Sequence, residues 1–169
     1  VQPQDADAIR NDGFTNVIPI EEIKTIDGIS IYRTTGHHGF GQIGQMMGPV
    51  SGYVLKAEGF PTVYIMGDCR WEACIRDTVE RFNPDYIVVN SGGAIFPEFS
   101  KTDGPIIPDE NEVMQILDEL PSHIKLIAVH MDAIDHCQTT RAILRNEATH
   151  HEADMSRLII PEDGETVVL

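Results

Sequence analysis

The chain has 169 residues, 41% of them hydrophobic, with 14 Gly and 10 Pro, which is the composition of about one globular domain. No apolar run approaches the roughly 18 residues of a membrane-spanning helix, so transmembrane, collagenous and disordered classes are excluded. With 27 acidic against 12 basic residues the net charge is −15, and no Lys/Arg cluster offers phosphates a landing site, which argues against a nucleic-acid partner.

Taken in chain order, Asp5 to Asp12 reads as a short helix stopped by Gly13. Strand-like runs follow at Asn16–Ile20, Glu22–Ile26 and Ile29–Arg33, the last two joined by the hairpin turn Asp27-Gly28. Gly36 to Gly48 is expected to be a glycine-rich loop, followed by strands over Gly52–Ala57 and Thr62–Met66 that complete an antiparallel meander. From Trp71 the period becomes helical, with Trp71, Ile75, Val79 and Phe82 on one side and Pro84 as the stop. A buried strand over Tyr86–Asn90, a helix over Glu110–Leu120, a strand over Lys125–Val129 and a helix over Thr139–Ala148 come next. Terminal strands are expected over Arg157–Ile160 and Glu165–Leu169. The second half is therefore β-α-β-α-β, helices packed on a sheet.

Three cysteines, Cys69, Cys74 and Cys137, are an odd number without C-x-x-C spacing, so a reducing, cytoplasmic setting is expected rather than a disulfide framework or zinc knuckle. The chain opens at Val1 without signal-peptide character and reads as starting inside a longer protein, so residues 1–169 are taken as a single, incomplete domain.

His38, Asp68 and His130 each fall at the carboxyl end of an expected strand, the edge where sites form in layered α/β folds. Two imidazoles and a carboxylate suit Zn²⁺, Mn²⁺ or Fe²⁺ better than Mg²⁺ or Ca²⁺. Each position also has an ordinary reading, as a surface or hydrogen-bonded histidine or a Gly-Asp turn, and spacing alone leaves both open.

The runs Thr34-Thr35-Gly36-His37-His38-Gly39-Phe40-Gly41, Met47 to Leu55, and Val63-Tyr64-Ile65-Met66-Gly67-Asp68 together resemble the metallo-β-lactamase superfamily. Pro84 to Asn90 with Gly92-Gly93, Ala128-Val129-His130-Met131, His136-Cys137 and Pro161 to Glu165 extend the resemblance over nearly the whole chain. Within the superfamily the chain looks like the metal-dependent hydrolases similar to ascorbate-6-phosphate lactonase. The resemblance implies an α/β fold, the C-terminal portion of an αββα sandwich, with the meander and the later β-α units each supplying a sheet.

It also implies hydrolysis of an ester, lactone, amide or phosphoester in a small-molecule substrate by metal-activated water. His38, Asp68 and His130 are the implied ligands of one or two Zn or Mn ions, with Fe as a third candidate, and Asp68 and His130 the catalytic pair. His37 competes with His38; His37, Asn90 and His136 are implied as substrate contacts or as groups that orient the ligands.

Two departures stand out. Cys69 occupies the place where Thr is usual, and the His-x-His-x-Asp-His motif that supplies the remaining ligands is not in the chain. The resemblance therefore implies a partner segment, N-terminal to Val1, that carries those ligands. Without it the chain is expected to be an inactive binding or structural fragment, or to self-associate as a homo-oligomer through its uncovered sheet.

A rival motif, Gly39-Phe40-Gly41-Gln42-Ile43-Gly44, matches the nucleotide-binding G-x-G-x-x-G pattern after a strand. Only Gln45 to Val50 separate it from the next strand, too few for a parallel crossover, and Gly48-Pro49 is expected to break any helix there. The glycines read better as an active-site loop. The acidic stretches Asp109–Glu112 and Glu162–Glu165 read as helix-start and turn chemistry on a solvated face, and Cys69 as a small residue beside the site rather than a nucleophile.

Overall fold

The computed structural model describes residues 1–99 and 103–169. A 3₁₀ turn at Pro3–Asp5 runs into α1 (Ala6–Asn11). Strands β1 (Ile23–Ile26) and β2 (Ile29–His37) form a hairpin across Asp27 and Gly28, whose φ of 49° and 83° are those of the tight turn that matches strand twist. After α2 (Gly41–Met47), β3 (Pro49–Lys56) runs antiparallel along the whole of β2, and β4 (Val63–Gly67) is antiparallel to β3. Helices α3 (Ala73–Phe82), α4 (Glu110–Glu119) and α5 (Arg141–His150) then alternate with β5 (Tyr86–Asn90), β6 (Lys125–Val129) and β7 (Leu158–Ile159), which extend the sheet in parallel from β4. The result is one mixed seven-stranded sheet in sequential order, not one sheet from each half, because β3 and β4 hydrogen-bond directly and fuse the meander to the β-α units.

Successive parallel strands joined by crossovers of one hand place their helices on one face. Accordingly Val54, Tyr64, Ile87 and Leu126, in register across four strands, share one core with Ile75 and Val79 of α3, Val113 and Leu117 of α4, and Leu144 of α5. The opposite face carries the in-register ribbon Tyr53, Ile65, Val88 and Ile127, with Ile65 37% exposed. Helix starts are capped as their sequences suggest: the Glu112 amide donates to the Asp109 carboxylate, and the Ile143 amide to the Thr140 hydroxyl. None of the described helices is long and apolar enough to cross a membrane.

Three local expectations differ from the structure. Asn16–Ile20 is not a strand: Pro19 removes a donor, and the segment bonds instead to the chain's start, Val1 N to Ile18 O and Ile20 N to Val1 O, both at 3.0 Å. Glu165–Leu169 is likewise not paired, and the Glu165 amide closes a turn onto Glu162 O. The expected loop at 36–48 contains α2, whose seven residues end at Gly48 (φ 75°) immediately before β3; the Asp103 carboxylate accepts the Ile43 amide at 2.9 Å and satisfies one of its orphan donors.

One ion pair ties the loops above the sheet to the helices. Arg70, just after β4, meets Glu112 of α4 at 2.5–2.6 Å with both side chains largely buried, and Glu112 also accepts the Trp71 amide at 2.6 Å. The same guanidinium donates to the Pro105 carbonyl and lies over the Phe40 ring, while the Arg70 amide donates to His37 O at 2.9 Å. Glu112 therefore corrects the solvated-face expectation for Asp109–Glu112: it is 7% exposed and paired.

Two predictions follow from these carboxylates. Glu112→Gln leaves a buried guanidinium without its counter-charge, and should cost about 3–5 kcal/mol in urea unfolding; a loss under about 1 kcal/mol would contradict the clamp. Glu119 accepts from Arg76 (2.6 Å), Gln115 (2.8 Å) and Trp71 (2.7 Å), and these bonds, Arg76 foremost, hold its carboxyl down to about 2. Because the folded value lies below the unfolded one of about 4.3, its contribution is present above that pH and lost as the pH falls towards 2. Glu119→Gln should flatten this part of the acid-unfolding profile, and an unchanged profile would count against the assignment.

Candidate metal centre

Strand directions decide which loops meet. β2 and β4 both run antiparallel to β3, and β5 and β6 run parallel to β4, so the carboxyl ends of β2, β4, β5 and β6 lie on one edge. His38, Asp68, Asn90 and His130 stand at those four ends. The register of β4 slips between Ile65 and Gly67, and Gly67 turns left-handed (φ 68°) where a Cβ would come 2.9 Å from Ser51 O. That bulge directs the next residue, Asp68, out of the ladder and over the edge.

His38 Nε2 lies 3.9 Å from Asp68 Oδ2, and Asn90 Nδ2 donates to the other carboxylate oxygen, Oδ1, at 2.6 Å. His38 Nδ1 lies 3.1 Å from the Ile106 carbonyl. A carbonyl only accepts, so Nδ1 carries the proton, and in the neutral ring Nε2 is left with a lone pair facing Asp68. A histidine held by a carbonyl through one nitrogen and free at the other, opposite a carboxylate oriented by an amide, is the arrangement seen around metal-binding residues.

His130 takes a different position. It sits two strands from β4, a separation of about 10 Å at the strand ends. Its backbone is left-handed (φ 64°), a conformation that costs a non-glycine residue about 1 kcal/mol or more and is sustained by its surroundings. The preceding Val129 carbonyl accepts both the Ser91 amide (2.9 Å) and its hydroxyl (3.0 Å), and Arg141 holds Asp132, also left-handed, at 2.8 Å. His130 Nδ1 lies 3.8 Å from Cys137 Sγ, and Gly92 allows this approach, since a Cβ there would meet His130 O at 2.4 Å and Cys137 Sγ at 2.7 Å.

The structure thus brings His38, Asp68 and Asn90 together and places His130 beside Cys137, whose thiol in turn feels the Asp68 charge. Among the described residues no three His, Cys, Asp or Glu side chains converge as a metal-holding group. The donor chemistry fits a divalent cation at the His38–Asp68 pair, but the pair does not close a coordination sphere. His37 points elsewhere: its amide and Nδ1 engage Glu72 at 2.9 and 2.8 Å, and it is well exposed. The His136 ring stacks on Phe96 with centroids 5.4 Å apart and lies 3.8 Å from the Asp135 carboxylate.

Burial holds the thiols in their protonated form, although Cys137 lies against an imidazole, His130. Cys69 is completely buried, and burial, with the negative groups of Cys74, Glu72 and Asp68 adding to it, pushes its pKa up to about 12. Cys137 is raised by burial and by Asp68. The nucleotide-binding alternative at Gly39–Gly44 meets an antiparallel β2–β3 pair rather than a βαβ crossover. Sequence reasoning missed the Ile106 carbonyl, the Arg70–Glu112 pair and the contact of Cys137 with His130, which join positions 7 to 68 residues apart without any local pattern.

No protein-family model matches the chain. It is 32% identical to the UPF0173 protein YddR of Bacillus subtilis over 164 residues, 96% of this chain and 62% of that protein. A possible metal-dependent hydrolase from Veillonella parvula superposes with a TM-score of 0.91 at 30% identity, over 99% of this chain and 64% of the other. The isothiocyanate hydrolase of Delia radicum gut bacteria superposes with a TM-score of 0.89 at 33% identity, over 99% and 65%. The chain spans just under two thirds of the length of each of these relatives. The fold is shared with these hydrolases and with the metallo-β-lactamase fold protein YhfI of Bacillus subtilis, which superposes with a TM-score of 0.58 at 15% identity over 94% of this chain and 60% of the other.

Proposed function

We propose that the chain is part of a metal-dependent hydrolase acting on a small-molecule ester, lactone, amide or phosphoester, with His38 Nε2 and Asp68 Oδ2 as two ligands of one divalent cation. The observation that carries this reading is the His38 ring, tied by Nδ1 to Ile106 O and facing Asp68 with Nε2 at 3.9 Å. Zinc and manganese are the favoured ions, with iron as the third candidate, because an imidazole–carboxylate set suits them. A second ion, where there is one, would take His130.

When bound, the cation supplies Lewis acidity, bringing water's pKa towards neutrality and polarising the electrophilic centre. The chain's own residues do the positioning. Asn90 fixes the Asp68 carboxylate, the Ile106 carbonyl fixes the His38 tautomer, and the Arg70 clamp holds both loops in place. In the overall reaction the oxygen of water joins the electrophilic centre, the bond to the leaving group breaks, and the leaving group departs with a proton. The similarity to an isothiocyanate hydrolase adds the carbon of an isothiocyanate to the electrophiles within this reading.

Two donors do not hold an ion tightly, so the remaining ligands are proposed to come from a segment carrying the His-x-His-x-Asp-His motif, packed on the Tyr53–Ile65–Val88 face. Without that segment the chain is a weakly metal-binding structural module, and its uncovered face favours self-association. The cysteines, all free, agree with a cytoplasmic setting.

Asp68→Ala in the full-length protein should lower metal content, measured by atomic emission, and abolish turnover together. Unchanged metal stoichiometry would sink the assignment of Asp68, and preserved turnover would sink the hydrolytic reading of this site.

A further inference from the structure

We infer that Cys137 is a positioning residue for His130: its sulfur accepts the Nδ1 proton of the ring and leaves Nε2 as the nitrogen that meets a cation. This rests on the hydrolase reading above, in which a second ion takes His130, and it names the group that prepares that histidine.

The ring has one partner to choose from. Cys137 Sγ lies 3.8 Å from His130 Nδ1, and among the described residues no other side chain is hydrogen-bonded to either ring nitrogen. A neutral imidazole carries one proton and one lone pair on its two nitrogens, so the group that holds Nδ1 decides what Nε2 can do. With the proton on Nδ1 and the sulfur as its acceptor, Nε2 keeps the lone pair a ligand needs. His38 is prepared in the same sense, its Nδ1 donating to the Ile106 carbonyl. Metal-binding histidines are held through the nitrogen that faces away from the ion, and the holding group sets tautomer and ring orientation.

The sulfur can orient the ring because its own place is fixed. The Cys137 amide donates to Ile134 O at 3.1 Å, and Cys137 forms an isolated bridge with Ala94. On either side of it the Ile95 amide donates to His136 O at 3.0 Å and the Thr139 amide to Gly92 O at 2.9 Å. Residues 136–139 are thereby laced to residues 92–95, the run that leaves β5 just past Asn90. Gly92 opens the approach: a Cβ there would stand 2.4 Å from His130 O and 2.7 Å from Cys137 Sγ, so any side chain at this position would force the two apart. The segment that carries Asn90 against Asp68 therefore also carries the sulfur against His130, and sets two of the candidate ligands relative to one another.

The geometry is specific to sulfur. A serine at 137 has nearly the same shape, but its oxygen sits on a shorter bond to Cβ, and a separation of 3.8 Å is already beyond the reach of an oxygen. Cys137→Ser thus keeps the packing and removes the contact.

The test uses the full-length protein, with zinc titrated against a competing chelator and the His130 tautomer read from the NMR shifts of its ring nitrogens in the metal-free state. The wild-type protein is expected to carry the His130 proton on Nδ1 and the Cys137→Ser protein to show a mixture of tautomers, a signature that packing alone does not move. The second zinc should bind about 10-fold or more weakly in Cys137→Ser, while the first stays within about twofold of wild type. A wild-type His130 protonated on Nε2 would overturn the inference without recourse to any variant, and so would an unchanged affinity for the second zinc in Cys137→Ser. Unchanged zinc stoichiometry in His130→Ala would remove His130 from the ligands and this inference with it, and would leave the hydrolase reading at His38 and Asp68 standing.

Discussion

The arrangement above the sheet depends on a single buried ion pair, Arg70 with Glu112. Arg70 lies two residues past Asp68; its amide grips the His37 carbonyl beside His38, its guanidinium reaches the carbonyl of Pro105 beside Ile106, and its planar face covers Phe40. Three loops that come from β2, β4 and β5 are thereby fixed to the first turn of α4 through one carboxylate. Desolvating two charges is costly, and such a pair contributes little net stability compared with apolar packing. Its consequence is geometric. A forked cation that binds one loop carbonyl and a helix carboxylate, on a residue whose amide holds a second loop carbonyl, leaves those loops few alternative arrangements around His38 and Asp68.

Much of the scaffold was legible because it is written in local patterns. Tyr86–Asn90 and Lys125–Val129 are apolar runs bounded by turn residues and fall on β5 and β6 without adjustment, and the apolar side of Glu110–Leu120 is the side of α4 that is buried. Asp27-Gly28 specifies its hairpin, since few residue pairs accept two left-handed conformations in succession. The misread segments are those where partners outside the window decide. Asn16–Ile20 has strand composition but bonds to the first residue of the chain, and α2 forms within a glycine-rich run because Asp103, sixty residues away, satisfies its start.

The site was legible as positions and illegible as distances. The strand-end placement of His38, Asp68 and His130 follows from topology, which the alternation of elements conveys. That His38 and Asp68 approach to 3.9 Å while His130 stays beside Cys137 depends on the bulge at Gly67, the left-handed turn at His130 and the close passage at Gly92. The first and last have no signature beyond the presence of a glycine, and the turn at His130 has none. Glu112 shows the same limit: an acidic residue at a helix start is ordinarily solvated, and only the arrival of Arg70 from another loop makes its burial favourable. The fold itself hosts many chemistries, so function rests on these few contacts rather than on the sheet that carries them.

His38 and Asp68 are proposed to bind one divalent cation between them. A crystal structure of the full-length protein loaded with Mn²⁺, with data collected at the manganese edge, addresses it directly. The account expects an anomalous peak within about 2.0–2.3 Å of both His38 Nε2 and Asp68 Oδ2, with His38 Nδ1 still bonded to the Ile106 carbonyl. A peak coordinated by neither residue, or a His38 ring turned away so that Nδ1 leaves that carbonyl, would contradict it.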